Sequence, residues 1–561
     1  MTKPAPLAGT GRVAGAAALI AVLTVVSRLA GFGRTAVFTW TLAQTDLGGA
    51  YLIANNVPNF IFEIVAGGAL ASLVVPLLAA AADRGDRRAV AATTGALLTW
   101  VLALLVPLAV LVALFADPLI ALQGSGLSEA QQQAGARMLR VFAPQLPLYG
   151  VGIVLTGVLQ AHRRFAWPVL APLLSSVTVI AVYLGFTAME GRLASVGQVS
   201  PGGELLLSGG TTLGVVVLTL SLLIPLRRLR LPLRPGFRFP AEARARVGAL
   251  AVAGLVTVAA QQVALIVVLN QVSYGSKANV GIYNLAQTIY FLPWSVLAVP
   301  LAVAAYPTLA AARAAGDERT YRETLVPAVR GVVLFSLLGA AALVGTAVPV
   351  GHFFFTGEAA RTAAAGIAGF APGLLGYGLF AVLTRALYAR GETRAATVAT
   401  AVGWLTVPAL AVLLGHVLPL ADRVLAVTLA TSAGMLLLGG LLIAAVLRSA
   451  GRPALAGVGR AGAAGLLAAA VAGLGGAATS RWLAGGAPAA SEALVQGMLS
   501  GVVVGALFLA VAWLTDERDV RPLLAAVARR LRRRRPAGGS DDTPTDRRPS
   551  ARGDGKESIS S

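Results

Sequence analysis

Ser27-Arg28-Leu29-Ala30-Gly31-Phe32-Gly33-Arg34 places two arginines inside an apolar segment that runs from about residue 13 to residue 40. A charged side chain at the centre of a membrane-spanning helix costs about 2.5–3.5 kcal/mol on insertion scales. We therefore expect Arg28 and Arg34 to face a bundle interior, a water-filled cavity or an anionic ligand. A second interpretation stays open, in which Arg28 pairs with Glu63 and Arg34 extends to the outer membrane surface.

The rest of the chain has the composition of a polytopic membrane protein. Of its 561 residues, 57% are hydrophobic and only 12% are charged, and the mean hydropathy is +0.78. The formal net charge of +21 comes mainly from arginines between the apolar segments and in the C-terminal tail. Cytoplasmic loops carry such an excess of basic residues, so topology explains the charge and no nucleic-acid partner is expected.

Fourteen apolar segments are each long enough to span a membrane, which takes about 20 residues. They lie near residues 13–40, 50–82, 90–116, 134–161, 166–189, 206–226, 247–272, 279–311, 325–350, 362–388, 395–415, 421–447, 456–476 and 493–515. With the N-terminus in the cytoplasm, most arginines between segments fall on the cytoplasmic side. We therefore expect both termini to be cytoplasmic.

An internal repeat relates the two halves of the chain. Phe142-Ala143-Pro144 recurs as Phe370-Ala371-Pro372, displaced by 228 residues, and a second pair, Gly85-Asp86 and Gly316-Asp317, is displaced by 231. Both copies of each pair lie on segments that enter the cytoplasm in the same direction. The repeats are therefore predicted to be parallel, and transporters built from such repeats bind their substrate between two lobes.

The repeat predicts an all-α polytopic membrane fold with 14 transmembrane helices, arranged as two parallel six-helix lobes plus two C-terminal helices. The N-lobe is expected at residues 1–246 and the C-lobe at 247–450. Residues 451–516 then form the two additional helices. Residues 517–561 are rich in Arg, Gly, Ser, Asp and Pro, and are expected to form a basic, disordered cytoplasmic tail.

Polar residues within the apolar segments are candidates for a shared cavity or a hinge. Glycines give a helix conformational freedom and leave room for a ligand, and a proline removes a backbone donor and bends the helix. Amides inside membranes line cavities, although they often only join helices. The cavity and hinge candidates are Gly31, Gly33, Asn56, Pro58, Asn59, Glu63, Gln261 and Thr288.

The sequence shows no arrangement of residues that is typical of a catalytic site or of a cofactor-binding site. The three histidines, His162, His352 and His416, are scattered at segment ends, which favours neither a metal site nor a catalytic triad. Phosphate-binding fingerprints in their proper context are also missing. We expect a transporter rather than an enzyme, with no cofactor.

Several motifs together resemble one known family. They are Ser27-Arg28-x-x-Gly31-Phe32-x-Arg34, the turn Val57-Pro58-Asn59, the stretch from Gly157 to Phe165, and Leu387-Tyr388-Ala389-x-Gly391-Glu392-Thr393-Arg394. The pattern is similar to that of the MurJ (MviN) family, and the resemblance extends over nearly the whole chain. It implies the fold of the multidrug/oligosaccharidyl-lipid/polysaccharide exporter superfamily.

The resemblance also implies a function in the bacterial plasma (inner) membrane. MurJ proteins are lipid II flippases, which move the undecaprenyl-diphosphate-linked peptidoglycan precursor from the cytoplasmic to the outer leaflet. Arg28 and Arg34, with Ser27, are then expected to bind the lipid diphosphate, and membrane lipids and the cell-wall synthesis machinery are the expected partners. This chain departs from the family where Asn56 and Thr288 replace further cavity arginines.

That departure leaves two alternatives open. The protein could export another lipid-linked glycan or a drug, as other members of the superfamily do. It could also be a non-transporting scaffold that recruits cell-wall enzymes.

Overall fold

The computed structural model describes residues 10–64, 78, 85–162, 164, 166–237, 241–483 and 488–515, with the side chains of the first and ninth helices described from residues 22 and 256. The described residues form helices and no strand. The helices are α1 Thr10–Thr41, α2 Asp46–Glu63, α3 Arg87–Leu114, α4 Ala116–Gln123, α5 Glu129–Phe142, α6 Gln145–Ala161, α7 Ala166–Glu190, α8 Pro201–Arg227, α9 Ala241–Val272, α10 Asn279–Pro293, a π-helix at Trp294–Ala298, α11 Val299–Ala314, α12 Glu318–Phe354, α13 Gly357–Phe370, α14 Gly373–Ala389, α15 Thr393–Val417, α16 Arg423–Ala450, α17 Val458–Leu483 and α18 Ala490–Thr515.

The all-helical membrane fold predicted from the sequence is confirmed. Within the described residues, nine spans are long and apolar enough to cross a membrane, and the bent pairs α5–α6 and α13–α14 raise the number to eleven. The three other predicted segments, 13–40, 50–82 and 247–272, each include residues or side chains outside the described ranges. The exact number of fourteen therefore stays a prediction.

The repeated Phe-Ala-Pro motif produces the same bend in both halves of the chain. Phe142 ends α5 and Pro144 precedes α6, while Phe370 ends α13 and Pro372 precedes α14. Each helix pair bends by 42° at this break. Because proline cannot donate the backbone hydrogen bond that would continue a helix, the break occurs at the same place in each copy.

The repeated Gly-Asp pair also has one structure in both copies. Gly85 and Gly316 adopt left-handed backbone angles, with φ of 70° and 72°, a conformation that glycine adopts without steric cost. The next residue caps the following helix in each case: Asp86 accepts hydrogen bonds from backbone N–H groups at the start of α3, and Asp317 accepts one from Thr320 in α12. The sequence repeat is therefore also a repeat of backbone geometry.

Most packing occurs within each half of the chain. Helix α7 packs against α1 and α8, whereas α16 packs against α14 and α15, and α12 packs against the last two helices. Fewer contacts cross between the halves, and they come mainly from α1 and α2 against α10 and from α4 against α9. The space between the halves is therefore free to hold a cavity.

Two glycines allow a close helix crossing in the second half. A Cβ atom on Gly376 of α14 would lie 1.9 Å from the carbonyl oxygen of Met435 in α16, and one on Gly439 would lie 2.9 Å from the Cα of Gly376. Small residues let helix backbones approach each other in membranes, where packing replaces the hydrophobic effect as the driving force.

We predict that Gly376→Ala lowers stability by about 1–3 kcal/mol, because the added methyl group must push α14 away from α16. Thermal unfolding of the purified protein in detergent measures this change. Gly440→Ala is the matched control, since a Cβ atom at that position meets no other atom within 4 Å. Equal melting temperatures for the two variants would contradict the tight crossing.

Candidate functional site

Both arginines of the opening motif lie within helix α1. The helix continues without a break to Thr41, so Arg34 lies about 10 Å and Arg28 about 20 Å from its end. Gly31 and Gly33 lie within this continuous helix. A Cβ atom on either glycine would meet nothing within 4 Å, so both border open space.

The first cavity lies between α1 and α10. It has a volume of about 590 Å³, and its lining includes Ser27, Arg28, Gly31 and Arg34 from one half and Thr288 from the other. Both arginines are exposed. We call this space the arginine cavity.

A second cavity adjoins the first, because Arg34 lines both of them. Its volume is about 160 Å³, and five of the polar side chains that line it are amides. Those amides are Asn55, Asn56 and Asn59 from α2 and Asn284 and Gln287 from α10. We call this space the amide cavity.

The arginines have no counter-charge in the described part of the chain. Neither Arg28 nor Arg34 makes a hydrogen bond or an ion pair there. The described ion pairs lie elsewhere and include the contact of 2.7 Å between Arg137 and Glu204. Glu63, the candidate partner, is exposed and lies within electrostatic range of Tyr377 in the second half. The described residues therefore do not contain the Arg28–Glu63 pair of the alternative interpretation.

A network of hydroxyl groups forms the wall of the amide cavity next to Arg34. The Tyr51 hydroxyl lies 2.9 Å from the hydroxyls of both Tyr183 and Thr211, and the Tyr149 hydroxyl donates a hydrogen bond of 3.2 Å to Asn59 Oδ1. Sequence reasoning missed these residues, because a tyrosine within an apolar segment looks like a core or interfacial residue. The network fixes the wall without neutralising the arginine.

The remaining amides are positioned by their own helices. Asn59 Nδ2 donates to the Asn55 carbonyl at 2.8 Å, Gln287 Nε2 donates to the Tyr283 hydroxyl at 2.9 Å, and the Thr288 hydroxyl donates to the Asn284 carbonyl at 2.8 Å. The Asn55 side-chain oxygen is buried without a partner in the described structure. The walls of both cavities thus contain polar groups held in place by hydrogen bonds. Some of these groups can still form further hydrogen bonds with a ligand.

The other candidates fall outside the lining of these two cavities. Pro58 is buried within α2, Gln261 is half-buried in α9, and Gly33 and Glu63 contribute to neither lining. Among the residues that the structure describes, no group of three or more His, Asp or Glu side chains could hold a metal ion.

The two halves close over the amide cavity at the end of the bundle where α1 ends and α2 begins. Asn270 Nδ2 donates to Ser125 Oγ at 2.8 Å, Ser125 Oγ lies 2.8 Å from the Tyr274 hydroxyl, and the Gly126 N–H donates to Ser273 Oγ at 3.0 Å. These five residues, which we call the polar latch, join the α4–α5 connection of the first half to the end of α9 in the second.

Further contacts at the same end complete the closure. Gln44 Nε2 donates to the Phe354 carbonyl at 3.3 Å, and a Cβ atom on Gly281 would lie 2.0 Å from the Ala43 carbonyl oxygen. The backbones of the two halves therefore touch directly. The arrangement is a cationic and amide-lined space between two halves, with one end shut by breakable polar contacts.

Known proteins with similar sequences belong to one family. The family described as lipid II flippase MurJ matches residues 40–489. The lipid II flippase MurJ of Burkholderia cenocepacia is 26% identical over 386 residues, covering 66% of this chain and 72% of the relative. The probable lipid II flippase MurJ of Thermotoga maritima is 24% identical over 417 residues, covering 74% and 82%. A probable lipid II flippase MurJ from Synechocystis is 29% identical over 236 residues, but the match spans only 41% of this chain and 43% of that relative.

Solved structures share the fold at low sequence identity. A lipid II flippase MurJ in an inward closed conformation matches with a TM-score of 0.68 and 18% identity, covering 88% of this chain and 99% of that one. An inward-facing multidrug resistance transporter of the MATE family and MOP superfamily matches with a TM-score of 0.62 and 14% identity, covering 78% and 98%. With the family match extending over most of the sequence and this shared architecture, the chain belongs to the lipid II flippase MurJ family.

Proposed function

We propose that this protein moves lipid II, the undecaprenyl-diphosphate-linked peptidoglycan precursor, from the cytoplasmic to the outer leaflet by alternating access. The observation that carries the proposal is a pair of arginines that line a cavity between the halves and meet no counter-charge among the described residues. An unpaired charge away from bulk water is costly, and an anionic ligand offsets that cost. Family membership supports lipid II as that ligand.

A diphosphate suits the two guanidinium groups. Arginine presents a planar fork of donors that binds phosphate oxygens through charge-assisted hydrogen bonds. Arg28 and Arg34 are six residues apart on α1, about 9 Å along the helix axis, so they can contact the ligand from two sides. Ser27, which lines the same cavity, adds a hydroxyl donor.

The surroundings of Arg28 suit a ligand with a long hydrocarbon tail. Val25 and Leu29, on the same stretch of α1, are 58% and 62% exposed. The cationic cavity therefore borders an apolar surface that faces the bilayer. A lipid can hold its diphosphate at the arginines while its polyprenyl tail stays among the membrane lipids.

The two cavities could bind different parts of the lipid headgroup. It contains Asn56, and Thr288 lines the arginine cavity, at the two positions where resembling sequences carry further arginines. Amides and hydroxyls bind uncharged hydroxyl and amide groups through hydrogen bonds. We assign the diphosphate to the arginine cavity and the sugar and peptide parts of the headgroup to the amide cavity.

The distribution of basic residues supports the direction of transport. Arg87, Arg227, Arg313 and Arg394 lie at helix ends opposite the polar latch, where positively charged residues mark the cytoplasmic side. Both termini are then cytoplasmic and the polar latch is external. Breaking the latch while the other end closes would expose the headgroup outside.

We predict that Arg28→Ala and Arg34→Ala each reduce externally accessible lipid II by about 10- to 100-fold, because each removes a hydrogen bond between charged groups. The measurement uses a strain in which the native flippase is depleted and the variant is expressed in its place. Growth and the amount of lipid II at the outer surface are scored together.

The matched control for these variants is Arg448→Ala, which removes an exposed arginine at the C-terminal end of α16. Protein level and membrane insertion should be the same for all three variants. Normal lipid II exposure with both Arg28→Ala and Arg34→Ala would refute the assignment of the diphosphate site.

We predict that joining the halves across the polar latch stops transport. The chain contains no cysteine, so S125C with N270C introduces a single thiol pair. A short, reducible bis-thiol reagent should then abolish lipid II exposure, and a reductant should restore it, because opening this end requires the latch to separate.

The control pair, E190C with S200C, lies in the connection between α7 and α8 of the first half, where the two native side chains are hydrogen-bonded. The same reagent should leave its transport unchanged. Full transport by the cross-linked S125C/N270C protein would show that this end does not open during the cycle.

A further inference from the structure

The segment that joins the two halves follows the surface of α3. After α8 ends at Arg227, residues 228–237 run without helical structure towards α9, and we call them the linker strap. A Cβ atom on Gly95 of α3 would lie 2.1 Å from the Arg234 carbonyl oxygen, so the strap and the helix are in direct backbone contact. The strap is therefore a packed element of the fold.

Hydrogen bonds and a ring contact fix the far end of the strap. The Gly236 N–H donates to Thr99 Oγ1 at 3.1 Å, and Trp100 Nε1 donates to the Phe237 carbonyl at 3.0 Å. The rings of Trp100 and Phe237 meet edge to face, with centroids 5.5 Å apart. Aromatic pairs of this kind are typical of the membrane interface.

The strap and α3 enclose an apolar groove on the outside of the bundle. The groove has a volume of about 630 Å³. Its apolar lining includes Leu98, Leu102, Val106, Pro107, Leu233 and Pro235. Leu102 and Val106 are 41% and 46% exposed, so this side of α3 faces the bilayer rather than the other helices. Arg234 is the one charged residue among those described that line the groove.

The strap places a row of cations beside this groove. Arg227, Arg228, Arg230 and Arg234 are all exposed, and none of them forms an ion pair with a described residue. The sequence from Arg227 to Phe237 contains no acidic residue. Basic residues at a membrane surface attract anionic lipid headgroups, and arginine binds phosphate oxygens directly.

We propose that the groove is a binding site for an anionic membrane phospholipid, whose acyl chain lies between α3 and the strap and whose headgroup contacts Arg230 and Arg234. The apolar lining would contact the acyl chain. The arginines, which form no ion pair with a described residue, would contact the anionic headgroup. Basic residues in a cytoplasmic loop could also serve only to orient the protein in the membrane. That role alone would predict no groove beside the arginines and no preference for one lipid over another. This site lies outside the central cavities and is independent of the transported substrate.

The bound lipid would have a structural consequence for the two halves. Residues 238–240 separate the strap in sequence from α9, which begins at Ala241 and is the first helix of the second half. A lipid wedged between the strap and α3 fastens this connection to the first half. The phospholipid thereby becomes part of the pivot about which the halves move.

The test compares lipids with identical acyl chains on the delipidated, full-length protein by native mass spectrometry. Phosphatidylglycerol should bind more tightly than phosphatidylcholine. The variant Arg230→Gln/Arg234→Gln should weaken phosphatidylglycerol binding by about 30-fold, from about fivefold per arginine near a charged headgroup, and should leave phosphatidylcholine binding unchanged. A wild-type protein without preference between these lipids would overturn the proposal.

Two matched controls separate this site from general charge and surface effects. Arg394→Gln/Arg448→Gln removes two exposed arginines at the same end of the bundle and should retain the preference; an equal loss there would overturn the proposal. Ala103→Trp fills the groove and should displace the lipid, whereas Val110→Trp, exposed on α3 outside the groove lining, should not. Undiminished lipid binding by Ala103→Trp would rule out the groove.

Discussion

The structure keeps two guanidinium groups in a cavity between its halves, where no described residue supplies a counter-charge. Charged side chains such as those of Arg28 and Arg34 raise the free energy of a helix in hydrocarbon, because hydrocarbon cannot solvate a charge. This cost is lowered because both residues line a cavity, and the hydroxyls and amides of neighbouring helices line this cavity and the adjoining one. The charges stay available to an anion, because the candidate partner, Glu63, does not pair with them in the described structure.

The cavity can open and close because of how the halves are built. Each half packs mainly on itself, and the contacts that join them at the closed end include buried apolar residues, hydrogen bonds and a backbone approach at Gly281. Hydrogen bonds between polar groups exchange readily for bonds to water, so the polar latch can separate at modest cost.

Sequence reasoning predicted the features that depend on local chemistry. Proline at the Phe-Ala-Pro breaks and glycine before the capping aspartates act on the nearest few residues, so the repeat found in the sequence recurs in the structure as matching bends and caps. Arg28 and Arg34 were recognisable because charge in an apolar segment needs a reason. Tyr149, Tyr183 and the linker strap were not, since their positions depend on contacts between residues far apart in sequence. The same limit explains why Gln261, a plausible amide, lies outside both cavities.

The central claim is that the arginine cavity carries a lipid through its diphosphate. Reconstitution of the purified protein into liposomes tests this most directly, with lipid II and undecaprenol compared as cargo. An impermeant reagent measures how much of each becomes accessible from the other side. The protein should speed the appearance of lipid II well above protein-free liposomes and leave undecaprenol unaffected. Equal rates for lipid II with and without the protein would contradict the claim.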